Sequence, residues 1–286
     1  MRIVEQRIVA NGLEHHVITW SPEGPQPQAT VLCAHGFLDV GWSFRQIAER
    51  LVARGHRVIA FDWRGHGASA WVAPGGYYHF LDYVADLADL ADALVPGPLH
   101  LVGHSMGGVA GSLYAGAFPA RVARFVNLEG LGPPAASGQA PSARTAAWVE
   151  AARRARHAPQ RVMATLDEAL ARMRIQTPEL SDELGLELAA RSTRAVPGGY
   201  VWSFDPLHRT RGPYPFDAGA FREHLRAIAA PTLFVEGERG YRVADQEERR
   251  AAVPRAETLV IPGVGHMMHW LAPAAVAEAI DAFLRD

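Results

Sequence analysis

Leu99-His100-Leu101-Val102-Gly103-His104-Ser105-Met106-Gly107-Gly108 decides how this chain folds. An apolar run of strand character ends at Gly103 and a helix-like stretch begins at Met106, so Ser105 stands at the corner between them. A corner of this kind strains the backbone and tolerates only small neighbours, and Gly103 and Gly107 let the hydroxyl project into open space. Serine is a weak nucleophile near neutral pH, so a Ser105 that reacts needs a base and a group to orient that base.

On either side of the corner, short apolar runs alternate with amphipathic segments, the pattern of strand-helix-strand units and a parallel sheet. Strands are expected at Thr30–Ala34, Arg57–Phe61, Leu99–Val102, Val122–Leu128, Thr232–Val235 and Thr258–Ile261, with helices near 43–54, 81–94, 106–117, 245–252 and 272–285. Ahead of them, residues 3–9 and 13–20 read as an antiparallel hairpin turning at Asn11-Gly12, followed by a Pro-rich loop at 22–27. The rhythm stops after Leu131 and resumes near Phe221. The chain therefore divides into a core of 1–132 and 221–286 and an insertion of 133–220 with about three helices. Thr165 with Glu168 opens one of these as a capping box, and Ser181 with Asp182 and Glu183 opens another.

The base has to come from downstream. His266, in Gly263-Val264-Gly265-His266-Met267-Met268-His269, follows the last expected strand in a Gly-rich loop that can swing an imidazole toward Ser105. His269, placed on the final helix, is the competing histidine. Composition removes other chemistries. All 28 basic residues are arginine, which excludes Schiff-base, Ser-Lys and Walker-loop mechanisms. The single cysteine, Cys33, allows no internal disulfide and reads as a buried small hydrophobe. A net charge of −2 without long runs of one sign argues against nucleic acid and anionic membrane as partners. With no signal-peptide-like or membrane-spanning run, the expected location is cytoplasmic.

In order along the chain, His35-Gly36, Phe61-Asp62-Trp63-Arg64-Gly65-His66-Gly67-Ala68-Ser69, the corner at Ser105 and Gly265-His266 resemble the motifs of the alpha/beta-hydrolases. The resemblance implies an α/β fold with a mostly parallel eight-stranded sheet flanked by helices and a helical cap inserted after the sixth strand. It also implies Ser105 as nucleophile, His266 as base, and the backbone N–H groups of Phe37 and Met106 as the oxyanion hole. Asp62 belongs to a structural loop in this reading.

One departure concerns the acid. Relatives commonly read Gly-x-x-Asp after the seventh strand, where this chain has Gly237-Glu238-Arg239-Gly240. Glu129, Asp245 and Glu238 compete for the role. Asp245 is also placed to form a capping box with Glu248. Glu129 ends an apolar strand, where a carboxylate is costly without a partner. Its position resembles that of the acid in haloalkane dehalogenases, so Glu129 is the first choice. Those enzymes and the related epoxide hydrolases use a carboxylate nucleophile, which Ser105 replaces here. A closer likeness is to the serine-hydrolase-like proteins, including the stretch Gly198–Asp205.

The expected activity is cofactor-independent and metal-independent hydrolysis of a small-molecule carboxylic ester or similar acyl bond through an acyl-enzyme. Lactone, thioester, amide and carbon-carbon hydrolysis and perhydrolysis stay open on the same triad. A binding module without chemistry and a histidine-based metal hydrolase are the rivals from other classes. Trp42, Trp148, Met163, Met173, Trp202 and Phe204 are the candidate pocket walls, with Phe37 and Met106 beside the serine.

Overall fold

The computed structural model describes residues 1–24, 26–135 and 138–285. Pro25 of the expected loop, Ala136 and Ser137 of the insertion and Asp286 lie outside the described residues. The chain opens with the hairpin of β1 (Arg2–Ala10) and β2 (Leu13–Ser21). Asn11 and Gly12 both have positive φ, 46° and 74°, the two left-handed positions that a tight hairpin turn requires. Then follow β3 (Thr30–Ala34), α1 (Arg45–Ala53), β4 (Arg57–Phe61), α2 (Phe80–Leu94), β5 (Leu99–His104), α3 (Met106–Ala117) and β6 (Val122–Leu128). A 3₁₀ turn at Gly41–Phe44 precedes α1 and takes up the start of the helix expected from residue 43.

Between β6 and the rest of the sheet lie α4 (Pro141–His157), α5 (Leu166–Met173), α6 (Asp182–Ser192) and a small hairpin of β7 (Thr193–Val196) and β8 (Gly199–Trp202). Three helices match the expectation, and the hairpin is an element that the sequence reading missed. Thr165 Oγ1 accepts the N–H of Glu168, but the Glu168 carboxylate takes the N–H of Ala164 rather than that of Thr165, so the capping box is half formed. Ser181 caps α6 through the N–H of Leu184. The chain returns through α7 (Ala218–Ala227), β9 (Thr232–Gly237), α8 (Gln246–Ala251), β10 (Ala256–Ile261), α9 (Met268–Leu271) and α10 (Pro273–Arg285). His269 thus lies on its own short turn before the final helix.

Eight strands form one sheet in the order β1-β2-β4-β3-β5-β6-β9-β10, antiparallel at the β1-β2 and β2-β4 pairs and parallel elsewhere. The central strands are buried on both sides, as crossover helices on both faces of a parallel sheet require. Period-two alternation divides each strand between two cores. Leu32, Ala34, Ile59 and Phe61 face the layer with α2, α3 and α7, and Val31, Cys33, Val58 and Ala60 face the layer with α1 and α10. Cys33 is fully buried, and burial pushes its thiol far above the ordinary range. The carboxyl ends of β3, β5, β6, β9 and β10 gather on one edge, where open α/β sheets place their reactive groups.

Candidate active site

Ser105 follows β5 with φ 51° and ψ −115°, a conformation that L-residues avoid. Its N–H donates to Leu128 C=O at 2.9 Å, tying the corner to β6. A Cβ on Gly107 would press into the carbonyl groups of Ala34 and His35, and one on Gly36 would lie 2.7 Å from His104 Nδ1. The glycines therefore allow the β3 loop and the head of α3 to touch. His35 shapes that loop: its Nδ1–H donates to Gly36 C=O at 2.7 Å, and its Nε2 accepts the N–H of Trp63 at 3.0 Å. Among the described residues neither the Phe37 N–H nor the Met106 N–H meets a protein acceptor.

His266 Nε2 lies 2.9 Å from Ser105 Oγ, and Nδ1 lies 2.7 Å from Glu129 Oε2. An ionised carboxylate only accepts, so Nδ1 carries the proton and Nε2 is left to accept from the serine hydroxyl. Glu129 itself has φ 52° just past β6. Its Oε1 accepts the Gly237 N–H at 2.8 Å and its Oε2 accepts the Tyr241 N–H at 3.0 Å, while Arg242 Nη1 stands 3.3 Å from Oε1. Burial works to raise the Glu129 carboxyl, but the hydrogen bonds from His266, Tyr241 and Gly237 outweigh it and hold the group below the usual carboxylate range.

The other two carboxylates have different partners. Glu238 accepts the N–H of Gly263 at 2.8 Å. Asp245 does not form the expected capping box. Its carboxylate pairs with Arg249 at 2.8 Å and with Arg222 at 3.5 Å, because a fully buried guanidinium competes for it more strongly than the backbone does. Arg249 in turn donates to Leu131 C=O at 2.6 Å and Pro133 C=O at 2.9 Å, fastening the start of the insertion to α8.

Gly237, Tyr241 and Asn127 support the site without having been singled out in the sequence, and His104 shapes it. The N–H groups of Gly237 and Tyr241 are backbone donors to the Glu129 carboxylate. Asn127 is fully buried. It accepts the Gly130 N–H at 2.6 Å and donates to Gly130 C=O at 3.1 Å and Ser112 Oγ at 3.2 Å, which locks the turn bearing Glu129 to α3. His104 donates from Nε2 to the backbone C=O of His266 at 2.9 Å and packs against the tilted ring of His269 with centroids 4.1 Å apart. His269 Nε2–H reaches Asp39 Oδ2 at 3.1 Å. Asp39, His104 and His269 have ligating atoms within 4.8 Å of one another, and in this arrangement they link the β3 loop, the serine corner and the His266 loop.

The candidate pocket walls pack as follows. Phe37 is half exposed, edge-on to His66 and His208 at 6.3 Å each, and Met106 is half buried against the core. Trp42 lies against Trp20 and beneath the Arg191 guanidinium at 3.6 Å, with its Nε1–H on Glu187 at 2.6 Å, so it joins α6 to the core. Met163 is buried with Ala169 and Ala189 inside the insertion, where Met173 and Trp202 also pack. Trp202 stacks on Phe204 at 6.0 Å, and Trp148 meets Tyr77 edge-on at 5.3 Å. Tyr241, not singled out in the sequence, stands edge-on to His266 at 6.3 Å and is about half exposed. No described helix is long and apolar enough to cross a membrane.

Comparison with known proteins agrees with this architecture. A serine hydrolase-like protein of Danio rerio is 30% identical over 190 residues, 65% of this chain and 57% of that protein, so the chain spans little more than half of that relative. Serine hydrolase-like protein 2 of Homo sapiens is 26% identical over 278 residues, covering 89% of this chain and 86% of its own length. Among solved structures, a thioesterase domain from the curacin biosynthetic pathway superposes with a TM-score of 0.84 at 29% identity, covering 98% of this chain and 99% of that one. The family model for the alpha/beta hydrolase fold matches residues 29–273. With that match across most of its length, on a sheet of this order, the chain belongs to the alpha/beta-hydrolase fold family.

Proposed function

We propose that this chain is a cofactor-independent serine hydrolase that cleaves a carboxylic ester or similar acyl bond through an acyl-enzyme, with a Ser105-His266-Glu129 triad. The observation that carries this reading is the unbroken series from Ser105 Oγ through both ring nitrogens of His266 to Glu129, at 2.9 and 2.7 Å. In the first step Ser105 Oγ bonds to the acyl carbon as its proton passes to His266 Nε2, and the carbonyl oxygen takes the negative charge. The N–H groups of Phe37 and Met106 stabilise that charge, a contribution of about 3 kcal/mol per fixed donor in sites of this kind. Glu129 stabilises the imidazolium without taking its proton. The tetrahedral adduct then expels the alcohol, which receives the proton from His266. Water, deprotonated by the same nitrogen, attacks the acyl-enzyme and releases the acid with regeneration of Ser105.

The insertion would act as a cap that shapes the acyl pocket, and Tyr241, Phe37 and Met106 would line its floor. The likeness to a thioesterase domain makes thioesters the first alternative among acyl bonds. The test is turnover of p-nitrophenyl esters from acetate to dodecanoate. Ser105→Ala and His266→Ala are expected to abolish turnover with folding intact, and Glu129→Gln to reduce kcat by about 10³ to 10⁴. Failure of an active-site phosphonate to label Ser105, together with no Ser105-dependent turnover, would refute the proposal in favour of a binding module.

A further inference from the structure

Asp39, His104 and His269 meet where the loop after β3, the last residue of β5 and the short helix α9 converge. All three are buried, and one ligating atom of each lies within 4.8 Å of the other two. Two imidazoles and a carboxylate are a donor set suited to zinc. Asp39 Oδ2 and His269 Nε2 are 3.1 Å apart, near the roughly 3.3 Å edge of a tetrahedron with bonds of about 2.0 Å. His104 is held as a ligand is held. Its Nε2–H donates to the backbone C=O of His266 at 2.9 Å, the bond by which a metal-bound imidazole is commonly fixed. The lone pair is then on Nδ1, which meets no hydrogen-bond partner among the described residues although His104 is 1% exposed. A bare buried acceptor is costly, and a cation would satisfy it. Gly36 keeps the space beside that atom: a Cβ on it would lie 2.7 Å from Nδ1, and its φ is outside the left-handed region, so space and not conformation asks for glycine.

We propose that Asp39 Oδ2, His104 Nδ1 and His269 Nε2 bind one transition-metal dication of the zinc class, and that the bound ion slows turnover. At His269 the metal takes the place of the Nε2 proton, which moves to Nδ1, a nitrogen without a partner among the described residues, so the ring stays neutral. The ion is buried and acts on the reaction through His266. The His104 and His266 rings are centred 4.8 Å apart, and positive charge on His104 disfavours the imidazolium that His266 becomes in each acyl transfer. The inhibition rests on the reading of His266 as the general base, whereas the binding does not.

The test uses Zn²⁺ with the wild-type protein, His269→Gln, Asp39→Asn and His266→Ala. Each is stripped by a chelator and then incubated with the metal, because a buried site fills only as its loops open. Isothermal titration should show one tight Zn²⁺ site per chain in the wild type and in His266→Ala. In His269→Gln and Asp39→Asn the affinity should fall at least about tenfold, since loss of even an outer-shell group costs that much. X-ray absorption at the zinc edge, measured on the wild type alone, should show two imidazoles and oxygen donors at about 2.0 Å. Saturating Zn²⁺ should lower wild-type kcat for p-nitrophenyl butyrate at least about tenfold, reversibly on chelation, and leave His269→Gln within about twofold of its own metal-free rate. No Zn²⁺ site in the wild type, loss of the site in His266→Ala, unchanged affinity in His269→Gln, or an edge without two imidazoles would each overturn the site. Zn²⁺ bound there with kcat unchanged would overturn the inhibition and leave the triad reading standing. Absence of Ser105-dependent turnover would overturn the triad reading and the inhibition with it, while titration and absorption still decide the site.

Discussion

Glu129 is buried and Asp245 partly buried, both on the side of the sheet where the parallel strands end, yet their partners assign them different work. Asp245 neutralises Arg249, whose side chain is 0% exposed and holds the carbonyls of Leu131 and Pro133. Asp245→Asn should leave kcat within about threefold of wild type while lowering stability by about 2 to 3 kcal/mol, since it strands a buried cation. Urea midpoints beside ester turnover would check both halves, and a large loss of kcat at unchanged stability would move the acid assignment from Glu129 to Asp245. Asn127 makes a parallel case for a neutral residue. Asn127→Ala leaves the buried N–H of Gly130 and its neighbouring carbonyls without partners, so stability should fall by about 2 kcal/mol and kcat should fall with it as the Glu129 turn loosens. A variant with unchanged kcat would show that the turn is held by the strand alone.

At the level of elements, one carboxylate of α6 joins it to the core, beside the Arg191 guanidinium that covers Trp42. Glu187 accepts from Trp42 Nε1 at 2.6 Å and from Arg45 Nη2 at 2.7 Å. Glu187→Ala should cost about 1 to 3 kcal/mol and increase protease cleavage within residues 182–202; a cleavage pattern identical to wild type would mean the insertion is anchored elsewhere. The strands were legible as short continuous apolar runs between amphipathic segments: β3, β4, β6 and β9 stand within two residues of where the sequence put them. The hairpin of β7 and β8 was not. Each of its strands has four residues, and only Val201 among them is buried, so no alternation marks them. For the site, Ser105, His266 and Glu129 could be read from local chemistry, a corner, a Gly-rich loop and a carboxylate ending an apolar strand. Their supports could not, because Gly237 and Tyr241 act through N–H groups that every residue possesses, and Trp42 gives in sequence no hint of the Arg191 that covers it.

Across the whole molecule, buried histidines set the response to acid. Burial lowers the pKa of His35, His66, His104 and His269, and that of His208 falls to about 3. Below the ordinary imidazole value of 6.5 the unfolded chain binds protons that the folded chain refuses. Each such group then removes about 1.4 kcal/mol of stability per pH unit until its folded value is reached. Asp39 opposes this over a narrower span, since burial raises its carboxyl from 3.8 to about 6 and the folded state protonates first. His16 acts at the other side: burial opposes its charge, but Asp62 and Glu5, each 2.9 Å away, raise its pKa, so its contribution is full below the ordinary value and is lost as pH rises through the folded one. Stability should therefore peak near neutrality and drop steeply below about pH 6. Urea midpoints measured from pH 8 to pH 4 would test this, and a flat profile would contradict it. Just past the neighbouring strands β5 and β6 stand two bent residues, Ser105 and Glu129, at φ 51° and 52°. Glycine adopts that conformation freely, and other residues give up about 1 kcal/mol or more to do so. A population of variants selected only for heat resistance would accumulate glycine at both positions, and its fittest members would be durable proteins with nothing left to react.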